Sequence, residues 1–378
     1  MKPLFYLSLL FLFFSCNEAQ TETHPKNDFK LIISDNINKS LISNKQIITV
    51  LTNFLKTKNE YIYKNDYWIA ADFPRFYHPY GDIFKIEKKG TIDNFYHPTL
   101  LEIIETEQDN ERLLKIAFIG DDSLKIIYSL IAVKSEDYWI FKNTLDYNTK
   151  NWKKHTFKNV NYYISPSKEI NMNEVNKQLE FNKSLSSFFD VKLDSIYYYS
   201  CVNPVELFNI KGIDYTTAMY FGKYGGFAQG DNIVFSGNNS EFYPHEIAHL
   251  YSNSSFRYAP LILKEGVATL LGGQGRHEYK WHREELNKFI RKKPDYNFLD
   301  CLLPFERKFL DNNETSIPYM TGALIVELLL KKYNVSELEY LFEKEKQIWH
   351  ILSKINITKD NFNESLKRQL NINFATDY

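Results

Sequence analysis

Cysteine is scarce in this chain: the 378 residues hold 3, at Cys16, Cys201 and Cys301. Neither Cys201 nor Cys301 has a Cys or His neighbour at metal-ligand spacing, which excludes a thiolate zinc site of the paired-cysteine kind. A disulfide between the two and a pair of buried free thiols both stay open, because separation along a chain does not report distance in space. An excess of charge is also missing. Lys+Arg 46 against Asp+Glu 47 leaves a net charge of -1, so nothing asks for a polyanionic partner and nucleic acid is not expected. Past residue 16 no apolar run approaches the roughly 20 residues of a membrane-spanning helix, and "GALIVELLL" is interrupted by Glu327. No internal repeat and no low-complexity segment stands out. What remains is ordinary for a folded chain, with 44% hydrophobic and 25% charged residues, and it is long enough to bury a sizeable core.

The amino end departs from that ordinary pattern. "MKPLFYLSLLFLFFSC" has an early Lys2, an apolar stretch from Leu4 to Phe14 and the small Ser15 before Cys16, which is the layout of a secretory signal. It resembles a bacterial lipoprotein signal, with Phe13 standing where such signals usually carry Leu. The resemblance implies that Cys16 becomes the lipidated first residue of the mature chain, which a membrane then holds at the bacterial cell envelope. Plain secretion is the alternative. The next residues, 17–27, have almost nothing apolar to bury and read as a tether.

Two units are expected after the tether, both α+β. In residues 28–150, "SNKQIITVLTNFLKT" offers Ser43 and Gln46 as a capping box ahead of Ile47, Val50, Leu51, Phe54 and Leu55 on one helical face. The runs "ERLLKIAFIG", "SLKIIYSLIAV" and "DYWIFKNTL" follow as a meander of strands. This unit resembles the small cystatin-like domains in which a curved sheet cradles one helix. In residues 151–378, "HTFKNVNYYIS" reads as one strand, "NEVNKQLEFNKSLSSFF" as a helix and "VKLDSIYYYS" as a strand. A short helix follows Asn203, and the strands "TTAMYFG" and "NIVFS" flank the Gly-rich "KYGGFAQGD". From Pro244 onward the pattern is nearly all helical.

The chemistry concentrates at "HEIAH". Each helical residue turns about 100°, so His245 and His249, four apart, lie about 40° from one another and can face one ion. Glu246 is rotated off that pair, beside the metal rather than on it, where it can take a proton from water. A catalytic zinc needs three protein ligands, and Glu265, in "LILKEGVATLL" beyond a loop-like stretch, is the third candidate. Nearby, "RHEYKWH" places His277 and His282 five apart, about 140° around a helix, so they cannot chelate together and read as solvated or packing histidines.

The combination "HEIAH…LKEGVA" resembles the gluzincin zinc metallopeptidases, the branch of thermolysin-like and aminopeptidase enzymes. The resemblance implies a two-lobed thermolysin-like zincin domain, a mixed sheet beside a helical lobe, with Zn²⁺ on His245, His249 and Glu265 and Glu246 as general base. It implies a peptide or protein substrate that adds as a strand along an edge, for which Gly225, Gly226, Phe227 and Ala228 are the candidates. The Tyr-x-x-Gly piece at Tyr319 and Gly322 is similar to the opening of a late helix in aminopeptidase-like members, where the tyrosine hydroxyl steadies the oxyanion. Where thermolysin-like members often carry an Asp four residues past the third ligand, Thr269 stands here, which leaves the support of the ligand histidines unassigned. The neutral Gln229 cannot offer a charge-assisted bond to a substrate's free amine, so internal cleavage is expected over end-trimming. The competing expectation is a lipoprotein that holds zinc and binds peptides or glycans without cleaving them.

Overall fold

The computed structural model describes residues 29–136, 138–217, 224–302 and 308–372. Cys16, the expected signal and the expected tether lie outside these residues, as does most of the expected strand "TTAMYFG". Among the described residues no helix is long and apolar enough to cross a membrane.

The first part of the chain runs β1 (Ile32–Ile33), α1 (Ile42–Thr57), α2 (Asp72–Phe76), β2 (His97–Glu105), β3 (Glu111–Gly120), β4 (Ser123–Ser135), β5 (Tyr138–Lys142) and α3 (Leu145–Asn148). The strands lie side by side in chain order, antiparallel except for the parallel pair β1 and β2. Ile47, Leu51, Phe54 and Leu55 of α1 are buried among Leu100, Leu114, Ile116 and Leu130 of the sheet, as the helical spacing predicts. The expected capping box does not form. The helix begins at Ile42 with Leu41 as its N-cap, so Ser43 already sits inside it, and Gln46 instead accepts a bond from Trp139 Nε1 at 3.3 Å.

The second part runs β6 (Lys153–Phe157), β7 (Val160–Ile164), α4 (Met172–Phe189), β8 (Ile196–Ser200), α5 (Pro204–Ile210), β9 (Ile213–Thr216), β10 (Gly226–Gln229) and β11 (Ile233–Ser236). Among the described residues seven α-helices follow: α6 (Pro244–Ser252), α7 (Leu261–Gly272), α8 (Tyr279–Lys292), α9 (Ile317–Leu330), α10 (Val335–Lys344), α11 (Ile348–Ser353) and α12 (Phe362–Asn371). The run read as one strand at "HTFKNVNYYIS" is a hairpin, β6 and β7, because Lys158 takes a positive φ of 51° and turns the chain. Asn203 caps α5 by accepting from Glu206 N at 2.9 Å. The sheet order is β10-β11-β8-β7-β6, with β11, β8 and β7 parallel and an antiparallel strand on each edge. β9 leaves this sheet and pairs with β4 of the first one.

Each face of the second sheet is covered. On one side Tyr162, Tyr198 and Val234 join a core built with Ile247, Leu263, Val267, Leu324 and the helices beyond. On the other side Tyr199 and Phe235 pack with Phe76 and Leu145 from the first part of the chain. At that junction Arg75 donates to both carboxylate oxygens of Asp146, at 2.6 and 2.8 Å, and to Tyr199 Oη, while its carbonyl accepts from Asp231 N at 2.8 Å. Glu327, the charge inside the apolar helix α9, is buried against Arg283 at 2.7 Å, so its carboxylate is paired rather than orphaned.

Candidate metal centre

The approach to α6 is fixed by polar side chains of α4. Glu174 Oε2 accepts from Glu241 N at 2.9 Å and Gln178 Oε1 from Tyr243 N at 3.1 Å. Glu241 itself is fully buried, bonded to Lys168 at 2.7 Å and Ser200 Oγ at 2.8 Å. Pro244 then opens α6 at its first position, where a missing N–H costs nothing.

That placement brings His245 and His249 together with Glu265 of α7. Their ligand-capable atoms all lie within 4.8 Å of one another, and this buried group could hold a metal ion. His245 Nε2 and His249 Nε2 stand 3.3 and 3.4 Å from the same Glu265 Oε2. Tetrahedral ligands at zinc distances of about 2.0–2.1 Å stand about 3.3 Å apart, so the two His–Glu265 distances match zinc spacing and the donor set matches zinc in kind. His245 Nδ1 lies 2.8 Å from the Gly273 carbonyl, which can only accept, so Nδ1 carries a proton and, in the neutral ring, Nε2 carries the lone pair. A lone pair and a carboxylate oxygen that close repel unless a positive charge, a proton or a metal ion, lies between them.

The electrostatics follow from this crowding. Burial works against a charged His245 ring, but the bond to Glu265 and the charges of Glu246 and Glu265 outweigh it and raise its pKa. Burial would raise Glu265 too, yet His249 and His245 hold it well below the usual carboxylate range. Glu246, 7% exposed, is pushed up by burial, with the two histidines opposing. Its Oε2 accepts from Ala228 N at 2.8 Å, which ties the carboxylate to β10, the edge strand of its sheet. Beneath it, burial and the neighbouring Glu246 charge push the Tyr243 hydroxyl well up.

Tyr319 comes to the same place from α9. Its ring stacks on His245 with centroids 5.8 Å apart and planes 3° from parallel. Two glycines make this possible. A Cβ on Gly266 would stand 2.3 Å from Gly322 C, and one on Gly322 would stand 2.1 Å from Ile262 O, so α7 and α9 cross backbone to backbone.

The edge-strand candidates divide. Ladder alternation, with Gly225 O accepting from Gly237 N at 2.8 Å, turns the amide groups of Gly226 and Ala228 away from β11. Phe227 points to the other face of the sheet, its ring 5.3 Å from Phe235. Gly226 is needed for internal packing, since a Cβ there would meet Phe235 O at 2.1 Å, whereas one on Gly225 would meet nothing within 4 Å.

His277 and His282 have other partners. His277 stacks on Trp281 at 3.8 Å and pairs with Glu314 at 3.2 Å, and His282 is fully buried between Thr315 Oγ1 and the Gln274 carbonyl, each at 2.9 Å. Cys201 and Cys301 are buried free thiols, so no disulfide joins them. Sequence reasoning missed Gly273 and Gln274, which hold the site from behind; the "GGQG" that ends α7 was the available signal. Comparison with models of known protein families and with curated proteins finds no match to this chain.

Proposed function

We propose that the chain is a zinc-dependent peptidase of the gluzincin type that cleaves peptide bonds internally, in a thermolysin-like domain anchored to the bacterial envelope through lipid on Cys16. The observation that carries this reading is Glu246: a buried carboxylate held by Ala228 N–H beside a two-histidine, one-glutamate group. A site meant only to hold zinc has no use for a base kept in that position. Zinc bound by His245, His249 and Glu265 supplies Lewis acidity toward a scissile carbonyl and lowers the pKa of water.

The remaining work falls to the chain. Gly226 N–H and C=O and Ala228 C=O lie on the outer side of β10, where an extended peptide can add as a strand. Glu246 takes the proton from the attacking water at its carboxylate and delivers it to the leaving amine. Tyr319 donates its hydroxyl to the oxygen on which negative charge develops. Gln229 at the end of β10 puts no carboxylate where a free substrate amine would bind, which favours internal cleavage.

The test uses protein carrying Cys16→Ser, which the anchor reading expects to leave the membrane fraction. It should bind about one zinc per chain and cleave members of a peptide library internally. Glu246→Gln should keep the zinc and lower kcat by about 10²–10⁴-fold, the usual contribution of a general base. Zinc binding without cleavage of any peptide would leave the chain a binding protein; Glu246→Gln at wild-type turnover would remove the base assignment.

A further inference from the structure

Two consecutive residues behind the metal group hold both members of the His245–Tyr319 stack. Gly273 takes φ 70° and ψ -153°, a region open in practice only to glycine, and so turns its carbonyl onto His245 Nδ1. Gln274 follows. Its carbonyl accepts from His282 Nε2 at 2.9 Å and from His277 N at 3.1 Å, which spends both lone pairs and immobilises the residue. Its side-chain Oε1 accepts from Ser316 N at 3.0 Å. Ser316 is the N-cap of α9, 1% exposed, and its Oγ accepts from Tyr319 N at 3.4 Å. Remove the Gln274 amide and a buried N–H at the head of the tyrosine helix loses its acceptor.

We infer that Gln274 is a positioning residue that sets Tyr319 over the metal group, an inference that rests on the peptidase reading above. One loop turn orients the ligand histidine through the Gly273 carbonyl and the oxyanion donor through the Gln274 amide. A ligand histidine and the group that donates to the substrate's carbonyl oxygen therefore share one support. A displacement of about 1 Å at such a group is enough to cost on the order of 10²-fold in rate, so the tie need not break the fold to matter. Gln274→Glu keeps an acceptor at the same reach, whereas Gln274→Ala removes it.

The experiment is a double-mutant cycle between Gln274→Ala and Tyr319→Phe, with Gln274→Glu as rescue. Tyr319→Phe should lower kcat by about 10²–10³-fold, the loss expected for one oxyanion donor. Gln274→Ala should lower kcat by about 10- to 100-fold with KM within about twofold and zinc content unchanged, and Gln274→Glu should restore most of the loss. In the Tyr319→Phe background, Gln274→Ala should have no further effect, because the group it positions is gone. Full multiplication of the two losses, or wild-type kcat in Gln274→Ala, overturns the inference. If the wild-type chain cleaves no peptide, the peptidase reading fails instead, and the placement is read from a crystal structure of zinc-loaded Gln274→Ala. A displaced Tyr319 ring sustains the positioning role there; an unchanged stack on His245 overturns it.

Discussion

His282 has both ring nitrogens committed, Nε2 donating to a carbonyl and Nδ1 accepting from the Thr315 hydroxyl, so the ring is held neutral. Burial, with the His277 charge adding to it, pushes its pKa down to about 4 from an ordinary 6.5. The unfolded chain therefore binds more protons than the folded one between these values, and the stability present above about pH 6.5 is lost as pH falls toward 4. The loss attributable to His282 between pH 7 and pH 5 is about 2 kcal/mol. Urea unfolding of wild type and His282→Gln at both pH values checks it: wild type should lose about that much more than the variant, and equal losses would remove the assignment. Legibility at this scale tracks local geometry. His245, His249 and Glu246 could be read because a helix fixes where residues one and four apart point. Glu265 could be read only as a candidate, because a returning helix can bring a carboxylate back to the two imidazoles but its spacing along the chain does not fix where it lands. The Gly273 carbonyl that orients His245 could not be read at all, because every residue carries a carbonyl and only the folded path shows where one is aimed.

Elements meet where residue size lets them, and the crossing of α7 and α9 is the sharpest case. Gly322→Ala would put a carbon 2.1 Å from the Ile262 carbonyl, and Gly266→Ala one 2.3 Å from Gly322 C. Backbone cannot swing aside as a side chain can, so each substitution should cost at least the 1–3 kcal/mol typical of roughly one overpacked methyl and also separate Glu265 from Tyr319. Gly225→Ala, whose new carbon meets nothing within 4 Å, is the control and should unfold near the wild-type temperature. Thermal unfolding of the three variants decides the matter, and a wild-type melting point for Gly322→Ala would contradict the close crossing. The strand "HPTLLEIIE" went unread, and its register shift between Leu100 and Glu102 explains why: the bulge breaks the alternation on which strand reading depends. The turn that splits β6 from β7 hid for a related reason. Lys158 adopts a left-handed backbone without the Gly, Asn or Asp that normally announces one.

For the molecule as a whole, the reading as α+β holds, with two mixed sheets and a run of helices after Pro244. What the pattern did not disclose is that the sheets exchange material. β9 at Ile213–Thr216 lies beyond the expected boundary at 150, yet it pairs with Ile126–Tyr128 of β4, and Ser129 N bonds to the Gly212 carbonyl at 2.6 Å. Residues 29–150 made alone should therefore expose an unpaired stretch of strand edge together with Phe76 and Leu145, and should associate. Size-exclusion chromatography against the chain carried on to residue 372 tests this, and a monomeric fragment with a cooperative melt would count against it. The same strand sets a clock on synthesis. β9 begins 63 positions after residue 150 (213 − 150 = 63), and at about 5–20 residues per second the ribosome takes roughly 3–13 s to reach it. For that interval the edge of β4 that β9 covers has no strand to pair with.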